Sequence, residues 1–446
     1  MSGSSISTAD EAPWYGTLTR NQWRTLAAAN LGWMFDGYET FALILTVGVA
    51  LRQLLDASQF PQIPAYAGTV IAITLLGWGT GGIIGGIMAD YLGRRRTMIY
   101  AILAYSLVTG LSALAWDWVS FAALRFLVGM AIGSEWSTGA SITAEVWPDQ
   151  ARGKGAGLRQ CGLGIGFFLA SLVWLFVGAL GPGAWRIMYL IGVLPALFAL
   201  WIRAGIPESR PWQQTDASRR RARERAQSGV PLGAEERALT RFTLSDLLTD
   251  PQHRRHAILA FLLSLTTTLA WWGISTWVPP FVGSVAAKAG LPAQQWASYA
   301  GLTYNFGAVL GYASFGFLAD RFGRKPMTML FFAMALVLTP VLFLWTQDLQ
   351  LLLIAAALNG YFSLGQYSWM PVWLPELFPT RIRATGMALA FNAPRFIAVL
   401  GPFIAGNLIV YFGGFGYAAT IVASIYLLGL AAAPFLPETR GQPLPA

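Results

Sequence analysis

Few ionisable residues fall inside the long apolar stretches of this 446-residue chain, and their types limit the chemistry it can perform. Asp36 and Glu39 lie in the first stretch, three residues apart and so on one helical face. Asp36 is about 12 residues in, roughly 18 Å along a helix, near the middle of a hydrocarbon layer about 30 Å thick. Arg125 enters the fourth stretch from the other side by about 7 residues, or roughly 10 Å, so an Asp36–Arg125 ion pair is open at matching height. Glu135 lies deeper in that stretch, and Arg159 near the start of the fifth. Arg395 lies about 12 residues into the eleventh, without an evident acidic partner in the second half of the chain. Ionisable groups in hydrocarbon face a cavity or a partner. Burial and a neighbouring guanidinium act on a carboxyl in opposite senses, so a buried acid can take up a proton in one conformation and release it in another. Asp36, Glu39, Arg125 and Glu135 are therefore candidates for proton coupling. A lone guanidinium offers a planar fork to a carboxylate, which makes Arg395 a candidate anion site.

Blander roles stand beside these. Asp36 and Arg125 are also readable as a permanent staple between helices, Glu39 as a cavity residue, and Glu135 as a bond to a neighbouring helix. Arg395 could bond helix carbonyls or Glu39, and Arg159 is read as snorkelling to the membrane interface. Trp271, Trp272, Tyr304, Asn305, Gln366 and Trp369 lie near the middle of later stretches and are candidates to line a substrate cavity. Aromatic-rich walls with few hydroxyls suit a small organic anion with an apolar body better than a bare sugar. Covalent catalysis has no support. The only histidines, His253 and His256, sit beside a basic segment, and there is no metal-ligand spacing, nucleophile motif or phosphate loop. No enzyme activity, cofactor or metal is expected, and energy must come from a gradient. Cys161, the single cysteine, reads as a packing residue.

These residues must be positioned by membrane helices. The chain is 55% hydrophobic and 11% charged, with a mean hydropathy of +0.52, a composition unsuited to a soluble domain of this length. Polar breaks mark twelve spans, at about 25–51, 66–91, 97–116, 119–146, 155–180, 185–204, 256–283, 296–321, 327–346, 349–376, 384–411 and 415–436. The expected fold is all-α and integral to the membrane, with twelve transmembrane helices in two pseudo-symmetric six-helix bundles. Residues 1–204 would form the first bundle, 205–255 a basic connection and 256–446 the second bundle with a short tail. Arginine and lysine crowd the loops on one side, including Arg94, Arg95, Arg152, Arg324, Lys325 and Arg383, while Arg52, Arg186 and Lys288 mark the other. The basic side is expected to be cytoplasmic, with both termini inside an inner (plasma) membrane. This asymmetry accounts for the net charge of +9, so no nucleic-acid partner is expected. The connection, with ten arginines, is read as a solvated segment against anionic head groups.

The two bundles repeat three signatures. G-x-x-x-D-x-x-G-R-[RK] joins Gly86, Asp90, Gly93, Arg94 and Arg95 to Gly316, Asp320, Gly323, Arg324 and Lys325 at an offset of 230. E-x-x-P-x-x-x-R-x-x-G joins Glu145 and Arg152 to Glu376 and Arg383 at an offset of 231. A third pairs Pro207, Glu208 and Arg210 with Pro437, Glu438 and Arg440, again 230 apart. One spacing for all three indicates duplication. The glycines permit close approach and tight turns, and the charged residues are candidates for a conformational latch. Glu145 would pair with Arg152, and Glu376 with Arg383; a purely topogenic role for the basic cluster is the alternative.

The first and third signatures, with RFLVGMAIG at Arg125–Gly133, resemble the major facilitator superfamily over nearly the whole chain. DGYET at Asp36–Thr40, GSEW at Gly133–Trp136 and FNAPRFIAVLGP at Phe391–Pro402 resemble bacterial metabolite:proton symporters, relatives of sialate, aromatic-acid and monocarboxylate carriers. The resemblance implies alternating access and a coupling pair between a first-helix carboxylate and the arginine opening the fourth helix. The expected function is proton-coupled uptake of a small organic acid by a monomeric carrier. A proton-antiporting drug or metabolite exporter, a sugar porter of the same fold and a transporter-like sensor are the other readings.

Overall fold

The computed structural model describes residues 14–195, 197–198, 201, 205–401, 408–409 and 411–445. Residues 1–13 of the expected tail, 202–204 at the proposed bundle boundary and Pro402 lie outside the described residues.

The first bundle consists of α1 (Arg20–Leu54), α2 (Ile63–Leu92), α3 (Arg94–Ser112), α4 (Trp118–Val146), α5 (Arg152–Val177) and α6 (Ala184–Ile191). α1 starts on a capping box in which Thr19 and Gln22 satisfy each other's backbone groups, and Asp117 caps α4 with Ser120. The connection holds α7 (Arg210–Gln227), α8 (Ala234–Thr240) and α9 (Thr243–Thr249). The second bundle contains α10 (Pro251–Ile274), α11 (Val278–Lys288), α12 (Ala293–Phe322), α13 (Arg324–Pro340), α14 (Leu349–Ser363), α15 (Trp369–Trp373), α16 (Arg383–Asn392), α17 (Arg395–Ala398), α18 (Phe415–Ala423) and α19 (Tyr426–Ala432). Among the described residues, eight helical runs are long and apolar enough to cross a membrane by length and composition alone. The runs built on α3, α6, α12 and α16–α17 complete the twelve spans.

The bundles differ in continuity. α1, α2, α4 and α5 run unbroken through the first, whereas several spans of the second are interrupted, three of them beside proline. α10 gives way to α11 at Ser275–Trp277, before Pro279 and Pro280; α14 gives way to α15 at Gly365–Ser368, before Pro371; α16 gives way to α17 at Pro394. Proline lacks the N–H of the helical ladder and crowds the preceding turn, so each break follows from the sequence. Broken helices at membrane depth free backbone groups where a cavity can use them.

The basic connection is largely exposed, as expected of a solvated segment, with nine of its ten arginines at the surface, but it also folds into three helices that dock on the bundles. Arg219 is buried on α7 and donates to the carbonyl of Asp90 at 2.7 Å and of Arg381 at 3.1 Å, so it touches both bundles. Arg381 in turn pairs with Asp246 on α9 at 2.9 Å. Three helices thus dock across the basic ends of the spans, and a guanidinium buried among carbonyls favours this over exposure to head groups.

The third repeated signature acquires a role in the turns α2–α3 and α12–α13. Gly93 (φ 103°, ψ 154°) and Gly323 (φ 107°, ψ 156°) make each turn alone. Glu208 then accepts the backbone N–H of Arg94 and Arg95 at 3.1 Å, and Glu438 that of Arg324 and Lys325 at 3.0 and 2.9 Å. Each glutamate caps a helix start that has no partner of its own. That backbone region is open almost only to glycine and costs other residues about 1–3 kcal/mol. Gly93→Ala and Gly323→Ala should each lower the apparent melting temperature of the detergent-purified protein; an unchanged melting curve would contradict the assigned turn.

Candidate functional site

The first bundle carries a buried string of charges. Arg125 on α4 does not meet Asp36. Its Nη1 pairs with Glu39 on α1, its Nη2 donates to Ser112 Oγ at 2.6 Å, and its guanidinium lies 4.5 Å from the Tyr189 ring. Glu39 follows Asp36 by three residues and presents its carboxyl one turn closer to the end at which α4 begins, which is why it wins the arginine. Asp36 faces the other direction along the bundle. It is fully buried, neither of its oxygens accepts a hydrogen bond, and the charged groups acting on it are Glu135, Arg159 and Glu39. Arg159 does not snorkel: it is fully buried, 3.4 Å from Glu135 Oε2, and 5.6 and 5.9 Å from the rings of Trp33 and Trp136.

Between the bundles lies an aromatic-walled cavity. Trp33, Thr40, Leu75, Trp78, Leu163, Phe167, Trp271, Trp272, Tyr367, Phe391 and Arg395 line it. Arg395 begins α17, just past the Pro394 break, and is buried. Its Nη1 donates to the Phe391 carbonyl at 2.5 Å, and its guanidinium sits 4.6 Å from the Trp78 ring and 4.1 Å from the Phe391 ring. Among the described residues no carboxylate pairs with it. A cation between aromatic faces is held by their quadrupoles, and the face turned from the rings keeps its donors for an anion.

Of the other expected cavity residues, the structure places Trp271 and Trp272 at the wall and four elsewhere. Tyr304 bonds Ser275 at 2.6 Å, and Asn305 turns back to Gly301 O at 3.0 Å. Gln366 bonds Tyr426 at 3.0 Å and Ser363 O at 2.8 Å, and Trp369 donates to Thr267 at 3.0 Å. Their polar atoms are committed to packing inside the second bundle. Trp33, Trp78 and Tyr367 were missed. Trp33 precedes Asp36 by three residues and shares its face, a readable signal; Trp78 has none beyond its depth in α2.

At the basic end the repeated signatures interlock. Glu145 holds Arg94 of its own bundle at 3.0 Å and Arg383 of the other at 2.7 Å. Glu376 holds Arg324 of its own bundle at 2.8 Å and Arg152 of the other at 3.0 Å. The expected pairs Glu145–Arg152 and Glu376–Arg383 are thus exchanged between bundles. Asp90 accepts the backbone N–H of Ala384 and Thr385 at 3.2 and 2.9 Å, capping α16 across the interface. Asp320 likewise accepts Lys154 N at 3.1 Å in the first turn of α5. Gly86 and Gly316 let the backbones meet: a Cβ would stand 2.6 Å from Ala384 O or 2.1 Å from Gly153 O. Arg95 and Lys325 sit beside these pairs, each donating its backbone N–H to the capping glutamate. Every hydrogen bond or ion pair between the bundles among the described residues lies between the basic end and Cys161, whose Sγ is 3.6 Å from Val309 O.

A family model described as "Sugar (and other) transporter" matches residues 26–446. The chain belongs to that family. This transporter is 28% identical over 432 residues to the niacin transporter NiaP of Acinetobacter baylyi, a match covering 94% of each chain. It is 28% identical over 392 residues to the cis,cis-muconate transport protein of the same organism, covering 86% of this chain and 89% of the relative. Its fold is that of the major facilitator superfamily. A solved proton:xylose symporter, XylE, superposes with a TM-score of 0.76 at 21% identity, over 95% of this chain and 98% of that one. The transporter is therefore a membrane carrier and not an enzyme.

Cys161, the single cysteine, is buried beside the closed interface and reports on its opening. Removing one member of a buried ion pair costs about 3–5 kcal/mol. Glu145→Gln, which strands Arg94 and Arg383, should raise the rate of Cys161 alkylation by N-ethylmaleimide by roughly tenfold or more; an unchanged rate would show that these pairs do not hold the bundles shut.

Proposed function

We propose that the transporter takes up a small planar organic monocarboxylate together with protons, by alternating access. The observation that carries this reading is Arg395, a buried guanidinium at mid-membrane with aromatic rings at 4.6 and 4.1 Å and no acidic partner among the described residues. A carboxylate would satisfy its free donors, and a flat apolar body would lie between the tryptophan and phenylalanine walls. One cation in the cavity favours one carboxylate. The scarcity of hydroxyl and amide groups there disfavours a sugar. The niacin transporter and the cis,cis-muconate transport protein among its relatives support organic acids as the class; niacin carries one carboxylate, muconate two.

Proton coupling rests on Asp36, a fully buried carboxyl with no hydrogen-bond donor. Open to water on the outer side, it takes up a proton; with the charge gone, the bundles close over substrate and separate at the basic end, where the proton and substrate leave. Residues 1–204 and 256–446 are the two moving bodies, and the connection at 205–255 rides on their basic ends. The basic face is cytoplasmic by the arginine asymmetry, placing both termini inside a bacterial inner membrane, and one monomer contains the complete pathway.

Purified protein should be stabilised against heat by nicotinate or benzoate and not by xylose, because a ligand selective for the native state raises its melting temperature. Arg395→Gln should weaken that binding by at least about tenfold, the loss of a charge-assisted bidentate contact; unchanged affinity would remove the anion site. In cells, substrate addition should alkalinise the medium; acidification would instead indicate export by antiport. Asp36→Asn should abolish accumulation while leaving substrate exchange, and uptake against a gradient with ordinary pH dependence would exclude Asp36 from coupling.

A further inference from the structure

The charges in the middle of the first bundle do not balance. Asp36, Glu39 and Glu135 face Arg125 and Arg159, three carboxyls against two guanidiniums, all buried. Arg125 is taken by Glu39. Arg159 is left with two acids: it sits 3.4 Å from Glu135 Oε2 and acts on Asp36 as well. Glu135 reaches across to α1 within a turn of Asp36, since a Cβ on Gly32 would stand 2.6 Å from Glu135 Oε1. The Asp36 and Glu135 carboxyls are close enough to act on each other. Apart from each other, neither Asp36 oxygen nor Glu135 Oε1 has a donor, and Arg159 Nε and Nη1 likewise lack an acceptor. On α3 the Tyr105 hydroxyl, also buried and unpartnered, lies within electrostatic range of Asp36, Glu135 and Glu39. Across the interface, the Phe391 ring stacks 3.8 Å from that of Trp136 and lies 6.2 Å from that of Trp33, with the Arg395 guanidinium 4.1 Å from the Phe391 ring itself.

Two carboxylates in contact and out of water cannot both stay ionised beside a single cation. One proton removes the excess charge and also supplies the missing donor, because the protonated carboxyl donates to its neighbour. We propose that Asp36 and Glu135 share one proton, with Arg159 holding the remaining negative charge, and that this pair is the proton-carrying site of the transporter. The inference rests on the reading of the chain as a proton-coupled carrier and goes beyond it in naming an acid pair with Arg159, where the sequence resemblance implied an Asp36–Arg125 couple, and one proton per cycle. Uptake adds the proton from outer water to a carboxylate oxygen of the pair, and release returns it to water on the basic side. Arg159 is a positioning residue: it keeps a second proton off the pair.

Infrared difference spectroscopy of the purified protein tests this without any substrate, so its outcome is independent of whether the cargo or direction is assigned correctly. At neutral pH the wild-type protein should show the carbonyl stretch of one protonated carboxyl, shifted by exchange into D2O. In Glu135→Gln, Asp36 is left alone with Arg159 and should ionise, so the band should vanish. It should vanish equally in Asp36→Asn, where Glu135 takes the arginine. Arg159→Gln should instead add a second protonated carboxyl. A wild-type spectrum without the band overturns the proposal even if no variant folds. Retention of the full band in Glu135→Gln overturns the sharing and leaves Asp36 protonated by burial alone.

Discussion

A charge buried in hydrocarbon has to be matched, and that requirement organises this molecule from the middle of the membrane to its basic end. In the first bundle the mid-membrane groups sum to one excess negative charge; in the second, Arg395 is one excess positive charge among the described residues. Each imbalance is complementary to something carried. On the proposed function, a proton would neutralise the first bundle and an organic anion the second, so that the loaded carrier would hold no unmatched charge when it closes. Loading only one of the two leaves a bare ion in the interior, at a cost of several kcal/mol. On this proposal, strict co-transport would follow from that cost without any contact between proton and substrate.

The basic end solves the same problem in another way. There the bundles lend each other arginines, with Glu145 taking Arg383 and Glu376 taking Arg152, while Asp90 and Asp320 cap helices of the opposite bundle. Separation would expose these groups to water at the membrane edge, where ions are readily solvated, so the pairs can break without leaving a charge in hydrocarbon. The docked connection adds Arg219, whose donors reach both bundles at once. Arg219 is the one buried arginine of its run, and helix-end carbonyls give its donors well-matched acceptors while Arg220, Arg221, Arg223 and Arg225 stay exposed.

How much of this was legible in the sequence depended on whether a signal was periodic or pairwise. The twelve spans, the duplication and the family followed from apolar run lengths and from three signatures at one spacing. The acids and arginines of the core were found because an ion in an apolar run is conspicuous. Their partners were not. Asp36 and Glu39 differ by a single turn, and which of them meets Arg125 depends on the rotation and offset of α1 against α4, to which span boundaries uncertain by several residues are blind. The exchange of arginines between bundles is invisible for a related reason: within one repeat Glu145 and Arg152 are close in sequence, and only the packed pair of bundles brings Arg383 nearer. Gln366 and Trp369 looked like cavity residues from their depth, but depth does not say which way a side chain faces, and the Gly365–Ser368 break turns theirs into the second bundle.

The central claim is that one proton and one monoanion cancel two opposite buried charges, and the most direct test is electrical. In proteoliposomes, nicotinate uptake would be followed under an imposed pH gradient and, separately, under a valinomycin-clamped potassium potential. Charge balance predicts accumulation that follows the pH gradient, is indifferent to an inside-negative potential and moves no net charge. Accumulation driven by the potential alone, or a net current accompanying uptake, would contradict it.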